Sequence, residues 1–156
     1  MTELDPHSRA TALAILSKTG DLTLASVRSD GTPHATTVSF ASEELVLYAA
    51  IGIDSQKAHN IRRDPRVSVT VNAPYQDWSE IRGMSIDAVA DIISAPHEVR
   101  EASERLLARF PQYARFIAGT GVVPWPGMLF IRISPHAISL LDYTQGFGHT
   151  RHFVVN

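Results

Sequence analysis

The residues best placed to do chemistry lie in one run, Ile51-Gly52-Ile53-Asp54-Ser55-Gln56-Lys57-Ala58-His59-Asn60-Ile61-Arg62-Arg63-Asp64-Pro65. Ser55 carries the small hydroxyl favoured at a helix N-cap, and Pro65 disfavours helical geometry in the residue before it, so a short helix is predicted from Ser55 to about Asp64. The amino end of a helix presents unpaired N–H groups and a partial positive charge, a ready place for a phosphate. The Ser55 hydroxyl can donate there, and Lys57 can add a full charge as a flexible point cation. Arg62, Arg63 and Arg66 make this the most basic patch of the chain. Taken locally, the plainer reading is favoured: a serine that caps a helix and cations that solvate its outer face, both commoner than a phosphate site.

The elements that must position this helix can be read in order. Asp5-Pro6 signals a first helix, with Ala10, Leu13, Ala14 and Leu16 at helical spacing and Gly20 as its stop. Leu22–Arg28 and Pro33–Ala41 read as strands joined by the hairpin turn Ser29-Asp30-Gly31. Ser42-Glu43-Glu44 turns the chain into a largely buried third strand, Leu45–Ala50, which makes an antiparallel meander, with Ile51 and Gly52 opening a loop. Beyond the basic helix, Arg66–Asn72 alternates valine with polar residues, and Gly83–Ile93 is a long strand with Ile86, Ala88, Ala90 and Ile92 on one side. Ser94 is expected to cap a helix with Val99, Ala102, Leu106 and Leu107 on its apolar face, and Pro111 to start another turn or two through Ile117. A loop over 119–127 leads to two last strands, Met128–Ile133 and Ala137–Leu141, and a tail from Asp142 to Asn156 without clear period. Six or seven strands with few helices imply a mainly β chain, a closed or nearly closed antiparallel barrel with flanking helices, and one domain over 1–156.

Two stretches carry a family resemblance. Leu24-Ala25-Ser26-Val27-Arg28-Ser29-Asp30-Gly31-Thr32-Pro33-His34 resembles the opening hairpin of the pyridoxamine 5'-phosphate oxidase-like split barrels. Ser55 to Val67 resembles their Ser-x-Lys phosphate helix and the strand after it, in matching order and spacing. The likeness is strong over roughly 20–72 and weaker through 83–93. It implies a six- to seven-stranded antiparallel split β-barrel that binds FMN near the interface of a homodimer. It also implies roles: His34, Ala35, Thr36 and Thr37 along the isoalloxazine edge, Ala50 and Ile51 as the pocket floor, and Ser55, Gln56 and Lys57 on the phosphate. Read without the resemblance, Thr36 and Thr37 are strand formers and His34 an exposed residue after a turn. The implied activity is a flavin-dependent oxidoreductase that passes two electrons to or from a small-molecule substrate, the cofactor carrying the reaction. No acid or base is compelled, so no catalytic residue is named. A deazaflavin-dependent reductase and a non-catalytic flavin- or haem-binding protein are the alternatives.

True members of the oxidase group end in an Arg-Leu-x-Pro-like tail, whereas this chain ends His152-Phe153-Val154-Val155-Asn156, which counts against pyridoxamine phosphate as substrate. Asp142 to Thr150 loosely resembles the glycine-rich ending of split barrels that handle haem. His149 would there be an axial ligand, although a surface histidine is the favoured reading. Tyr143 or Phe147 would stack on a cofactor or a partner subunit. His149 and His152 form an H-x-x-H with no third ligand, so no metal site is expected. The chain has no cysteine, which removes disulfides, thiolate sites and cysteine nucleophiles. It has no G-x-S-x-G, Walker or G-x-G-x-x-G motif. A net charge of −2 argues against nucleic acid as a partner. No apolar run reaches membrane-spanning length and the amino end lacks the basic and apolar regions of a signal peptide, so a cytoplasmic protein is expected.

Overall fold

The first helix begins as its sequence dictates: Asp5 accepts the Ser8 N–H at 2.8 Å and Pro6 takes the first helical position. This helix, α1, spans Pro6–Ser17 in the computed structural model, which describes residues 1–119 and 121–156. The expected loop at 119–127 therefore includes one position, 120, outside the described residues. A two-residue strand, β1 (Thr2–Glu3), precedes α1. The meander follows as β2 (Asp21–Val27) and β3 (Pro33–Ser39), turned by Gly31 at φ +86°, a conformation that glycine adopts without a Cβ penalty. Next come β4 (Ala41–Glu43) and β5 (Val46–Gly52). The second helix, α2 (Gln56–Arg63), leads into β6 (Arg66–Asn72) and β7 (Arg82–Ile92). After α3 (Pro96–Arg109) and the short α4 (Ala114–Ile117), the chain returns as β8 (Met128–Asp142) and β9 (Thr150–Val154).

Seven of these strands have five residues or more. All nine strands form one sheet in the order β1-β9-β8-β7-β6-β2-β3, with β5 on a second stretch of β8 and β4 beyond β5. No ladder joins β3 to β4 or β5 among the described residues, so the sheet is not closed. The chain itself links the two ends instead, because β3 runs through the buried Phe40 directly into β4. This is a split barrel, mainly β, with flanking helices.

Four local expectations are corrected. The turn into β5 falls at Glu44, which takes φ +51°, so Ala41–Glu43 forms a short strand of its own. Ile51 and Gly52 do not open a loop, since both stay in the ladder opposite Leu129 and Met128. Ser94 does not cap α3: Pro96 fixes the start of the helix, the cap position falls on Ala95, and no side-chain cap bond forms. The two predicted last strands are one, because a bulge at His136 absorbs the interruption; Pro135 pairs with Ala88 and Ala137 with Asp87. The tail is also ordered, with β9 antiparallel to β8 and parallel to β1, so the sheet contains one parallel pair.

The period-two pattern of β5 divides the apolar residues between two cores. Leu47, Ala49 and Ile51 point into the barrel, against Leu24, Val69, Ile86 and Ile133 and the inner faces of α1 and α2. Tyr48 and Ala50 point outward, into a second cluster built from Ala102, Leu106, Tyr113 and Phe130. No helix of the described residues is long and apolar enough to cross a membrane.

A polar bolt fixes α2 on the barrel. The fully buried Asn60 donates to Ser26 Oγ at 3.0 Å and accepts from Gln56 Nε2 at 2.8 Å. Asn60→Ala leaves the buried Ser26 hydroxyl without its partner and should lower stability by about 1–3 kcal/mol. Urea denaturation followed by circular dichroism would read this as a lower midpoint with an unchanged slope.

Candidate cofactor site

Ser55 caps α2 as its sequence position requires. Its Oγ accepts the Ala58 N–H at 3.3 Å, and its own hydrogen goes to the Gly52 carbonyl at 2.7 Å. The hydroxyl proton that was expected to serve a phosphate is therefore used to lock the loop. What the helix end leaves open is its backbone, since the N–H groups of Gln56 and Lys57 have no acceptor among the described residues.

The basic patch is less free than its composition suggests. Arg62 donates to the Ile53 carbonyl at 3.0 Å and Arg63 to the Val27 carbonyl. Arg66 grips Asp64 through two nitrogens, at 3.0 and 2.7 Å. Lys57, half-buried one position inside α2, makes no hydrogen bond or ion pair among the described residues. It is the cation left to meet an anion at this helix end. Gln56 spends its amide nitrogen on Asn60.

On β3 the four predicted residues divide between two faces. Arg28 N–H donates to Thr32 and Phe40 N–H to Gly20. These bonds set the phase of the antiparallel β2–β3 ladder, so Ser26/His34, Leu24/Thr36 and Leu22/Val38 are the hydrogen-bonded pairs. His34 and Thr36 thus lie beside the buried Ser26 and Leu24, on the barrel face. There His34 Nδ1 and Thr36 Oγ1 are buried polar atoms with no partner among the described residues. Ala35, Thr37 and Ser39 are exposed, and the same phase turns their N–H and C=O groups away from β2, to the unpaired edge.

Ala50 and Ile51 also separate. Ala50 is on the outer face of β5, while the Ile51 side chain is buried in the central core. A cleft of about 350 Å³ opens beside Ala50, between the Thr37–Ser39 end of β3 and Met128. Its other wall is Phe110, Tyr113, Phe116 and Trp125. The cleft adjoins the amino end of α2. Met128 pairs with Gly52, whose carbonyl holds Ser55, and the Ile53 N–H donates to Gly127 at 2.8 Å. The aromatic wall was not singled out from sequence, although the crowding of aromatic residues between 110 and 125 was a usable signal.

The tail lies elsewhere. His149 is exposed and lines a smaller cleft of about 220 Å³ with His7, Asp142 and Arg151. Phe147 packs near Tyr143 and Trp78, at ring-centroid distances of 5.3 and 6.2 Å. His152 shares a hydrogen bond with Ser139 at 2.8 Å.

A phosphorylated flavin fits these residues on three counts: open N–H groups with Lys57 at a helix end, an unpaired strand edge, and orphaned polar atoms on His34 and Thr36. The family model for pyridoxamine 5'-phosphate oxidase matches residues 9–141, and the chain belongs to that family. No curated protein matches. Among solved structures, a haem-binding protein from Mycobacterium smegmatis superposes with a TM-score of 0.80 at 17% identity, over 96% of this chain and 59% of that one. This chain therefore spans less than two thirds of that protein. A Listeria innocua protein named for pyridoxamine 5'-phosphate oxidase gives 0.67 at 24% identity, over 86% and 98% of the two chains. The haem storage protein HutZ of Vibrio cholerae gives 0.67 at 18%, over 86% and 91%. At these identities the likenesses establish the fold.

Hydrogen bonds from the Arg66 side chain and backbone, with its charge, lower the pKa of Asp64 to about 2 from an ordinary value of 3.8. A carboxylate whose folded pKa is depressed adds stability that is present above the unfolded value and lost as pH falls through the folded one. The Asp64 contribution should therefore fade between about pH 4 and pH 2. Carboxyl-carbon NMR should place the Asp64 midpoint near the bottom of that window, and Asp64→Asn should flatten the acid limb of the stability curve there.

Proposed function

We propose that the chain is an FMN-binding oxidoreductase that works as a homodimer, exchanging two electrons with a small molecule. The observation that carries the reading is the uncommitted Lys57 at the open amino end of α2, a helix that follows directly on the β5 strand beside the cleft. When bound, FMN supplies reversible two-electron chemistry. The residues of the chain bind and orient. The N–H groups of Gln56 and Lys57, with the Lys57 ammonium, hold the phosphate. The outward N–H groups of Ala35, Thr37 and Ser39 offer fixed donors along the ring, and such donors favour a ligand that gains negative charge. Ala50, with a single methyl group, lets a flat group approach β5.

The exposed edge of β3 also supports the dimer. Seven residues of strand with no lysine and no interior proline are a poor surface to leave in water. A two-fold interface would cover this edge and close the cleft twice over. Sedimentation of the purified protein should give twice the chain mass.

Lys57→Ala removes one charge-assisted contact to phosphate and should weaken FMN by about 10- to 100-fold, equivalent to roughly 1.5–3 kcal/mol. Riboflavin lacks the phosphate, so its affinity should not change. Quenching of flavin fluorescence measures both, and equal losses for the two ligands would reject the phosphate assignment.

Haem is a second reading, favoured by the haem-binding and haem-storage proteins among the similar folds and by His149 at a cleft. On that reading hemin gives a Soret band that His149→Ala shifts or abolishes. On the flavin reading the band is unaffected by that change, and the purified protein is yellow.

A further inference from the structure

The cleft beside Ala50 has an aromatic wall opposite the strand groups proposed to line the flavin. Trp125 and Phe116 lie nearly parallel, 25° apart, with ring centroids at 5.1 Å. Tyr113 meets Trp125 edge-on at 5.2 Å. Phe116 is 56% exposed at the mouth, and a phenyl ring held against water in this way is costly unless something covers it.

The charge pattern is as informative as the shape. Among the described residues lining the cleft there is no lysine, arginine, histidine, aspartate or glutamate. Its one ionisable group, the Tyr113 phenol, accepts from Ser103 at 3.3 Å and is pushed up by burial, so it stays neutral. Arg109, next to Phe110, is committed to the Leu16 carbonyl at 2.8 Å and to the face of Phe40. At the rim, Ser39 donates to Asp21 at 3.0 Å, which places a carboxylate near the entrance. An anion entering here would lose its water and find no cation. A neutral ring would find the faces of Phe116 and Trp125, with the uncharged Gln112 amide among the lining groups.

We propose that this cleft binds a flat, uncharged ring compound against the Phe116–Trp125 wall, facing the β3–β5 strip along which the flavin ring would lie, and rejects phosphorylated or sulfonated analogues. As the substrate of the flavin this compound rests on the function proposed above; as a ligand of the apoprotein it does not. The specificity runs opposite to that of the helix end: phosphate binds at Lys57, and the aromatic wall takes what carries no charge.

The chain has two tryptophans, and Trp78, 66% exposed, can be replaced by phenylalanine so that emission reports Trp125 alone. FMN-free Trp78→Phe protein is titrated with 1,4-naphthoquinone and with 1,4-naphthoquinone-2-sulfonate. Saturable quenching is expected from the first, with affinity at least about tenfold above the second. Adding Phe116→Ala should weaken the quinone about fivefold or more with the circular dichroism spectrum unchanged, because Phe116 is at the surface. Equal or tighter binding of the sulfonate, absence of saturation, or indifference to Phe116→Ala overturns the proposal. Repeating the titration with FMN present separates the two readings. Competition between FMN and the quinone would assign the cleft to the cofactor ring and overturn the substrate role. Quinone binding in a protein that ignores FMN would leave the cleft standing and remove the flavin.

Discussion

The seven residues of β3 are hydrogen-bonded on one side only, and the rest of the site depends on that fact. A ladder between β3 and the β4–β5 hairpin would close the barrel and pair these edge groups. The chain instead crosses from one end of the sheet to the other through Phe40, leaving the outward N–H and C=O groups of Ala35, Thr37 and Ser39 without a strand partner. Backbone groups of this kind need water, a ligand or another subunit. The outer face of β5 packs against α3 and the aromatic residues that follow, and the cleft is the space they do not fill.

The second constraint is the economy of charge around α2. Four cations crowd its sequence, but three serve the fold: Arg62 and Arg63 satisfy carbonyls, and Arg66 is bound to Asp64. The polar bolt of Asn60, Ser26 and Gln56 ties the helix to β2. A helix end fixed in this way can meet an anion without first paying to be ordered. Among the described residues, Lys57 is the cation of this patch that the fold does not use.

Much of the architecture was legible locally. The Asp5-Pro6 start, the Gly31 turn, the alternation of Val67, Val69 and Val71 and the Ser55 cap each rest on the geometry of a few neighbouring residues, and each appears where expected. The bulge at His136 and the strand at Thr150–Val154 were not legible, because both are decided by a partner strand far away in sequence. The start of α3 was missed for a smaller reason: proline at Pro96 outranks the cap preference of Ser94.

For the site, the sequence by itself determined the residue types: a capped helix with Lys57 near its start, a polar strand from His34 to Thr37, and small residues at the end of β5. Only the tertiary structure decided which way each group points. It turned Ile51 inward and Ala50 outward, gave the Ser55 proton to Gly52, spent the arginines, and gathered Phe110, Tyr113, Phe116 and Trp125 across from β3. The physical reason is range. Capping and turn geometry act within a few residues, whereas the facing of a side chain in a sheet and the partner of a long cation are fixed by whatever the fold packs against them.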